Sequence, residues 1–485
     1  MKRLTGNGVV SLLFALGLLG GCTVGPDYKL PLSALFNGKS ENGSFVSGRG
    51  EAALSQAPVP DNWWKLYNDP RLDALIGQAI AANTDLRVAA ANLERSRALL
   101  EEAKTLREPG VVLNGGIEYG QQAGEQYLQP VTPPLAWDYE TGLTVAYDLD
   151  LFGGIKRGIE AASDEDEAAK AAHDLVLVNV VAGTANAYGL ACGTGLELNA
   201  AEKSLDLQRQ SLGLTKRLTA DGRATDLDVT RQRQLVDELE EVIPTLKAGQ
   251  RNALFQLAAL TGRAPAQYDT DLDSCYTPPR LLTALPVEDG AALLKRRPDL
   301  REAERLLAAA TAEIGVATAE LYPDVEIGLT GGSIGVTQDA FTSPTNFWNL
   351  GAAVNWQANQ DAARAKIAAA SAGAKQALAS FDGAVLQAVR ETESALNNYA
   401  HDLRKERSSV AARDAAKRAV DEVLRLQRDG RADQLAVLDA ERTLASAELS
   451  LAQLRTGIST DQIAIFLALG GGWQEPATED ASSGR

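Results

Sequence analysis

Leu218–Val229 reads LTADGRATDLDV, and 208 positions further on Leu426–Val437 reads LQRDGRADQLAV. Both carry Asp-Gly-Arg-Ala after a long Ala-, Leu- and Arg-rich stretch. A glycine at ease with positive φ ends a helix, and a Thr or Asp three residues later caps the next one. Gly222 and Thr225 fit that pattern in the first stretch, and Gly430 and Asp433 fit it in the second. Each stretch is therefore predicted to be the turn of a helical hairpin. Its recurrence raises the question of how far the two halves match.

They match well beyond the turn. NTDLRVAAANLERSRALLEEAKTLREPGVVLNGG (Asn83–Gly116) aligns with RPDLREAERLLAAATAEIGVATAELYPDVEIGLT (Arg297–Thr330), placing Asp85, Leu86, Arg87 and Pro109 on Asp299, Leu300, Arg301 and Pro323. A period of about 210 residues excludes a short solenoid repeat. Each copy reads in one order: a helix (roughly 71–107 and 289–321), a proline stop, two alternating segments, a very long helix (about 156–219 and 362–427), the turn, and a helix back. At ~1.5 Å per residue the long helices reach ~90 Å, deeper than a compact core, so they must build a wall. After the second turn Val437, Ala440, Leu444, Ala447, Leu451, Leu454 and Ile458 form a heptad seam. After the first, the same phase runs Val229, Gln232, Val236, Leu239, Ile243 and Leu246. A second stripe (Leu435, Leu438, Ala445, Leu449, Ala452) gives the later helix neighbours on two sides.

The alternating segments have period two. Val111, Leu113, Ile117 and Tyr119 oppose Asn114 and Glu118, while Leu143, Val145, Tyr147, Leu149 and Leu151 oppose Thr144, Asp148 and Asp150. The second copy sets Val325, Ile327 and Leu329 against Glu326 and Thr330, and Trp348, Leu350, Ala352, Val354 and Trp356 against Asn349, Asn355 and Gln357. Nine or ten residues of such alternation is the signature of a tilted membrane strand. Tyr119, Tyr139, Tyr147, Phe347, Trp348 and Trp356 supply an interfacial girdle.

The first residues set the compartment. Lys2 and Arg3 precede an apolar run, Val9–Leu19, too short to span a bilayer, and Leu19-Gly20-Gly21-Cys22 follows. This resembles a bacterial lipoprotein signal, which implies cleavage before Cys22 and a lipid on its thiol. Thr23 is not the aspartate that retains such proteins in the inner membrane. Cys192 and Cys275 could then pair or remain buried thiols, and their spacing decides neither. A formal net charge of −17 argues against nucleic acid as a partner. Neither the cysteines nor His173 and His401 form a metal cluster, and no cofactor is expected beyond the lipid on Cys22.

Four strands cannot close a barrel, and an open edge in lipid leaves backbone groups unpaired. Identical chains must complete one another, and polar residues on the inward faces imply a wet lumen. CTVGPDYKLP (Cys22–Pro31), NWWKLYNDPRLDALIGQAIAANTDL (Asn62–Leu86), YDLDLFGGIKR (Tyr147–Arg157) and GRADQLAVLDAERTL (Gly430–Leu444) resemble TolC-type outer membrane efflux channels, in the lipidated branch typified by OprM and NodT. The resemblance implies an α+β membrane protein, mainly long helices in a periplasmic coiled-coil barrel, with four strands per protomer in a trimeric twelve-stranded β-barrel. It also implies an outer membrane location, a periplasmic adaptor and an inner-membrane pump of the resistance-nodulation-division type. VNWQANQDAARAKI (Val354–Ile367) departs from it, lacking the Phe-Gly-Gly of the first strand-to-helix junction.

The chain thus divides into a signal peptide (1–21), a lipidated extended segment (22–70), repeat 1 (71–270, strands about 111–120 and 142–151), a linker (271–288), repeat 2 (289–472, strands about 325–333 and 347–357) and a tail (473–485). Asp221, Gly222 and Arg223, with Asp429, Gly430 and Arg431, are the hairpin tips where an adaptor would dock. Just past them Asp228, and Asp439 with Arg442 on one helix face, are the candidate periplasmic gate, the latter two matching the family's LDAxR positions. Ala436 stands where TolC carries a further aspartate. The competing reading is a periplasmic adaptor lipoprotein, which has one hairpin and flanking β-domains. LTGGSIGVT (Leu329–Thr337) invites a phosphate loop, but no Lys-Ser/Thr follows and no helix opens there, so an enzyme is not expected.

Overall fold

The computed structural model describes residues 23–47, 50–121, 123 and 132–471; the expected signal peptide, Cys22 and the tail lie outside them. The main elements run α1 (Pro70–Ala82), α2 (Thr84–Thr105), β1 (Gly110–Gly120), β2 (Ala136–Asp148), α3 (Gly154–Ala220), α4 (Asp226–Leu260), α5 (Gly290–Arg296), α6 (Pro298–Ala319), β3 (Asp324–Val336), β4 (Asn346–Asn355), α7 (Asp361–Arg428) and α8 (Gln434–Ala468). The order helix pair, hairpin, long helix, return helix occurs twice. Two compact units result: the described residues of 1–31, 92–169 and 302–381, and those of 32–91, 170–301 and 382–485.

The first unit holds one antiparallel sheet in the order β1-β2-β3-β4. The two hairpins join along β2 and β3, from Asp138↔Val336 to Asp148↔Glu326. Leu329–Thr337, the stretch that suggested a phosphate loop, is strand as far as Val336. The strand expected at 142–151 begins earlier, at Ala136, and ends at Asp148. It stops there because Asp150 takes φ +42° and turns its carboxylate onto α3, accepting from the Ile155 and Lys156 amides at 2.9 Å each. The third strand is longer than 325–333, and the fourth ends at Asn355 rather than 357. Trp356 instead donates its indole N–H to the Leu321 carbonyl at 3.2 Å, where Gln360 also donates at 3.0 Å. Without Phe-Gly-Gly, the second junction is thus a short connection pinned to the end of α6.

The core of the second unit gathers Trp63, Tyr67, Leu72, Ile76, Val181, Ala185, Tyr188, Leu254, Leu293, Leu396, Ile458 and Phe466. Trp63 stacks on Phe466 with ring centroids 4.5 Å apart. Asp69 caps α1 through the Arg71 and Leu72 amides and accepts from the Tyr188 hydroxyl at 2.8 Å, whose ionisation burial pushes upward.

The single helices expected at 71–107 and 289–321 are each two, broken at Asn83 and Arg297. The break is duplicated but its chemistry is not. Asn83 leaves the helical region and accepts from the Asp85 and Leu86 amides at 2.8 and 3.2 Å, so its side chain restarts the helix. Arg297 precedes Pro298, whose ring excludes helical backbone before it. Both then reach the end of their return helix: Asn83 Nδ2 donates to the Leu260 carbonyl at 3.0 Å, and Arg297 to the Ala468 carbonyl at 2.8 Å. Buried Arg297 is balanced by Asp299 at 2.7 Å and Glu391 at 3.0 Å.

Cys192 and Cys275 form a disulfide that fastens the inter-repeat segment to α3. Closing a loop of 83 residues restricts the unfolded chain strongly. Cys192→Ser with Cys275→Ser should therefore lose about 2–4 kcal/mol, read as a lower midpoint for thermal loss of the helical circular-dichroism signal. An unchanged midpoint would mean the bond constrains nothing that folding needs.

Candidate functional site

Register decides what each face of the sheet offers. On one face Val111, Leu113, Ile117 and Tyr119 lie opposite Val145, Leu143, Tyr139 and Trp137, continuing through Ile327 and Leu329 to Ala352 and Leu350. The other carries Asn114, Glu118, Asp138, Glu140, Thr144, Asp148, Glu326, Thr330 and Asn349. The apolar face is bare: Leu113 is 77% exposed, Leu350 66% and Trp348 78%. An exposed apolar band of this breadth, with Tyr119 packed on Trp137 at 5.2 Å, marks a surface that meets something other than water. Of the expected girdle, Tyr119, Tyr147, Trp348 and Trp356 are exposed, whereas the Tyr139 hydroxyl is tied into a knot, sharing a hydrogen bond with Ser333 Oγ at 2.6 Å and lying 3.2 Å from Thr345 Oγ1.

The two tips are near copies. At Gly222, φ is +72°, and the Arg223 and Gly222 amides return to the Leu218 and Thr219 carbonyls at 2.7 and 3.0 Å. Gly430 has φ +70°, with the Arg431 and Gly430 amides on Leu426 and Gln427 at 2.8 and 2.9 Å. This double bond closes a helix end through its one left-handed residue. Asp221 and Asp429 are the last residues before that turn and lie exposed, as do Arg223 and Arg431. Thr225 and Asp433 cap α4 and α8. A cleft of about 740 Å³ separates the tips, lined by Leu218, Arg223, Asp228, Arg231, Arg428 and Leu435.

Of the three candidate gate residues, Asp228 completes a capping box with Thr225, accepting from its amide at 2.9 Å and its hydroxyl at 2.7 Å. Those bonds hold the Asp228 carboxyl below the usual carboxylate range. Arg442 reaches Glu238 on α4 at 3.4 Å rather than Asp439, and Asp439 is exposed. Their neighbour Glu441 points inward instead. It is held by Ser211 Oγ at 3.3 Å, which Gln232 Nε2 reaches at 2.9 Å, and burial raises its carboxyl above the usual range despite bonds from Gln208, Ser211 and Gln232. Gln208 and Gln232 are almost wholly buried. A glutamine in the apolar seam was the trace this polar cluster left in the sequence; Glu441, among the charges of the return helix, left none. Among the described residues, no group of three or more His, Cys, Asp or Glu could hold a metal.

A four-stranded sheet with an apolar and a polar face, joined in sequence to paired helical hairpins, defines the protomer of an outer membrane channel with a periplasmic helical domain. The chain belongs to the outer membrane efflux protein family, which matches residues 75–263 and 291–471. It is similar to nodulation protein T of Rhizobium leguminosarum bv. trifolii, 28% identical over 470 residues covering 95% of this chain and 96% of that one. The pyoverdine export outer membrane protein OpmQ of Pseudomonas aeruginosa is 29% identical over 476 residues, covering 96% and 97%. Among solved structures, the outer-membrane channel OprN superposes with a TM-score of 0.86 at 34% identity, covering 94% of this chain and all of that one. The protein is the outer membrane channel component of an efflux system, a conduit for small molecules.

Glu441 yields a pH test. A buried acid whose folded pKa is raised binds its proton more tightly folded than unfolded, so stability falls as pH rises through the ordinary carboxyl range. Glu441→Gln should raise the thermal midpoint at pH 7.5 and leave it nearly unchanged at pH 4. A lower midpoint at pH 7.5 would show that the carboxylate is needed charged.

Proposed function

We propose that three copies of the chain, each giving four strands, close a twelve-stranded barrel, and that the chain is lipidated on Cys22 and laid out as residues 22–70, repeat 1 (71–270) and repeat 2 (289–472). The observation that carries this reading is the sheet's pair of free edges: among the described residues, β1 and β4 each have a strand on one side only. The smallest usual closed barrel has about eight strands, so one chain falls short and three suffice. The apolar face then meets lipid and the acidic face lines the lumen.

The tips Asp221-Gly222-Arg223 and Asp429-Gly430-Arg431 dock a periplasmic adaptor, which couples the channel to an inner-membrane pump of the resistance-nodulation-division type. Cargo is small organic compounds delivered by the pump; the related OpmQ is named for pyoverdine export. Asp228, Asp439 and Arg442 form the resting gate. Around a threefold axis each charge recurs at one level, so Asp439 of one copy meets Arg442 of the next, while Asp228 keeps the start of α4 in place. The in-chain Arg442–Glu238 contact opposes this little, since both side chains are 46% exposed and such pairs contribute under ~1 kcal/mol.

Asp439→Ala with Arg442→Ala should admit large antibiotics normally excluded by the outer membrane, raising susceptibility several-fold at unchanged protein abundance. Unaltered uptake in cells carrying the double variant would remove the gate.

A further inference from the structure

The residues that follow Cys22 lie strapped to the first strand-to-helix junction. The Val24 amide donates to the Phe152 carbonyl at 3.1 Å, and Lys156 Nζ donates to Thr23 Oγ1 at 3.1 Å. Beneath the strap lies Arg157, its side chain 4% exposed. Its Nε donates to the Val24 carbonyl at 3.1 Å and its Nη2 to the Gly25 carbonyl at 3.3 Å and Asp27 Oδ1 at 2.7 Å, while Nη1 holds Glu160 at 2.7 Å. A guanidinium has five N–H donors and cannot shed its charge, so a buried one must find acceptors for them. Here the strap supplies three acceptors, the Val24 and Gly25 carbonyls and the Asp27 carboxylate, and Glu160 a fourth. Remove the strap and buried Arg157 keeps only Glu160; remove Arg157 and the strap loses three of its hydrogen bonds.

Two glycines permit the fit. Gly25 has φ +86°, and a Cβ on it would stand 2.4 Å from the Gly315 Cα in α6. A Cβ on Gly315 would in turn meet Arg157 Cγ at 2.6 Å. Strap, arginine and α6 are thus packed with no room for one methyl group.

We propose that Arg157 is the positioning residue of the N-terminal lipid: by locking residues 23–27 on the β2–α3 junction, it makes the acyl chains leave the protein at the inner margin of the strands rather than from a free tether. Cys22 is joined to Thr23 by a single peptide bond, so holding Thr23 limits how far the root of the lipid can travel. The inference rests on the lipid reading of Cys22.

The test uses the full lipidated chain in outer membrane vesicles, grown with a palmitate carrying a photoreactive diazirine, as parent, Arg157→Ala and Gly315→Ala. The second variant is independent of the first: alanine favours a helix over glycine, so α6 itself gains while its new methyl displaces Arg157 and the strap. The parent should cross-link its acyl chain mainly to residues 149–157. In both variants those cross-links should fall at least fivefold and amide exchange in residues 23–31 should rise at least tenfold, with exchange in β2 and β3 unchanged. Cross-links scattered along the parent chain, or unchanged exchange in both variants, would overturn the proposal. So would loss of protection in β2 and β3 together with the strap, which would make Arg157 a general support of the fold. An N-terminal peptide without acyl mass would overturn the lipid reading itself, and the exchange result would still decide whether Arg157 and Gly315 hold the strap.

Discussion

Backbone N–H and C=O groups at a sheet edge must be paired when hydrocarbon replaces water, at a cost of several kcal/mol for each group left bare. In this chain β1 and β4 are both such edges. Their side chains do nothing to shield them, since Val111, Leu113, Leu350 and Val354 are themselves exposed. The proposed ring answers that demand: four strands call for further copies, and in a closed ring any residue of one chain would recur at the same level.

Duplication supplied the plan, and the two copies have since met the same needs with different residues. The break between the paired helices is an asparagine cap in one and an Arg-Pro step in the other, yet both side chains end on the last carbonyl of their return helix. The strand-to-helix junctions diverge further. The first uses Asp150, Phe152 and Gly153, with Phe152 stacked on Tyr322 at 4.4 Å, whereas the second hangs Trp356 and Gln360 on the Leu321 carbonyl. The first junction alone carries Arg157 and the N-terminal strap. Repeats that began alike have become specialised at their junctions and stayed alike at their tips.

What the sequence revealed sorts by physical range. Period two and the heptad steps are local, so strands and long helices could be read from Val111–Tyr119 or Val437–Ile458 without knowing their neighbours. The Asp-Gly turns were equally legible, because a left-handed residue and a cap three positions on are chemistry of a single loop. Boundaries set by side chains acting at a distance were not. Asp150 ends a strand by bonding amides five and six residues ahead, and Asn83 splits a helix whose periodicity runs straight through it. The disulfide could not be inferred either, because Cys192 and Cys275 meet only after α4 has returned. At the tips, Asp439 and Arg442 suggested a pair by spacing, yet Arg442 turns to Glu238 on another helix and Glu441 between them is drawn inward by Ser211. Spacing says which residues share a face; it does not say which neighbour that face meets.

Purified full-length protein reconstituted in a planar bilayer puts the shared cylinder to the most direct test. Discrete, long-lived conductance steps, with a detergent-extracted species three times the mass of one chain, are the expected result. A chain that stays monomeric in detergent and leaves the bilayer silent would contradict the account at its root.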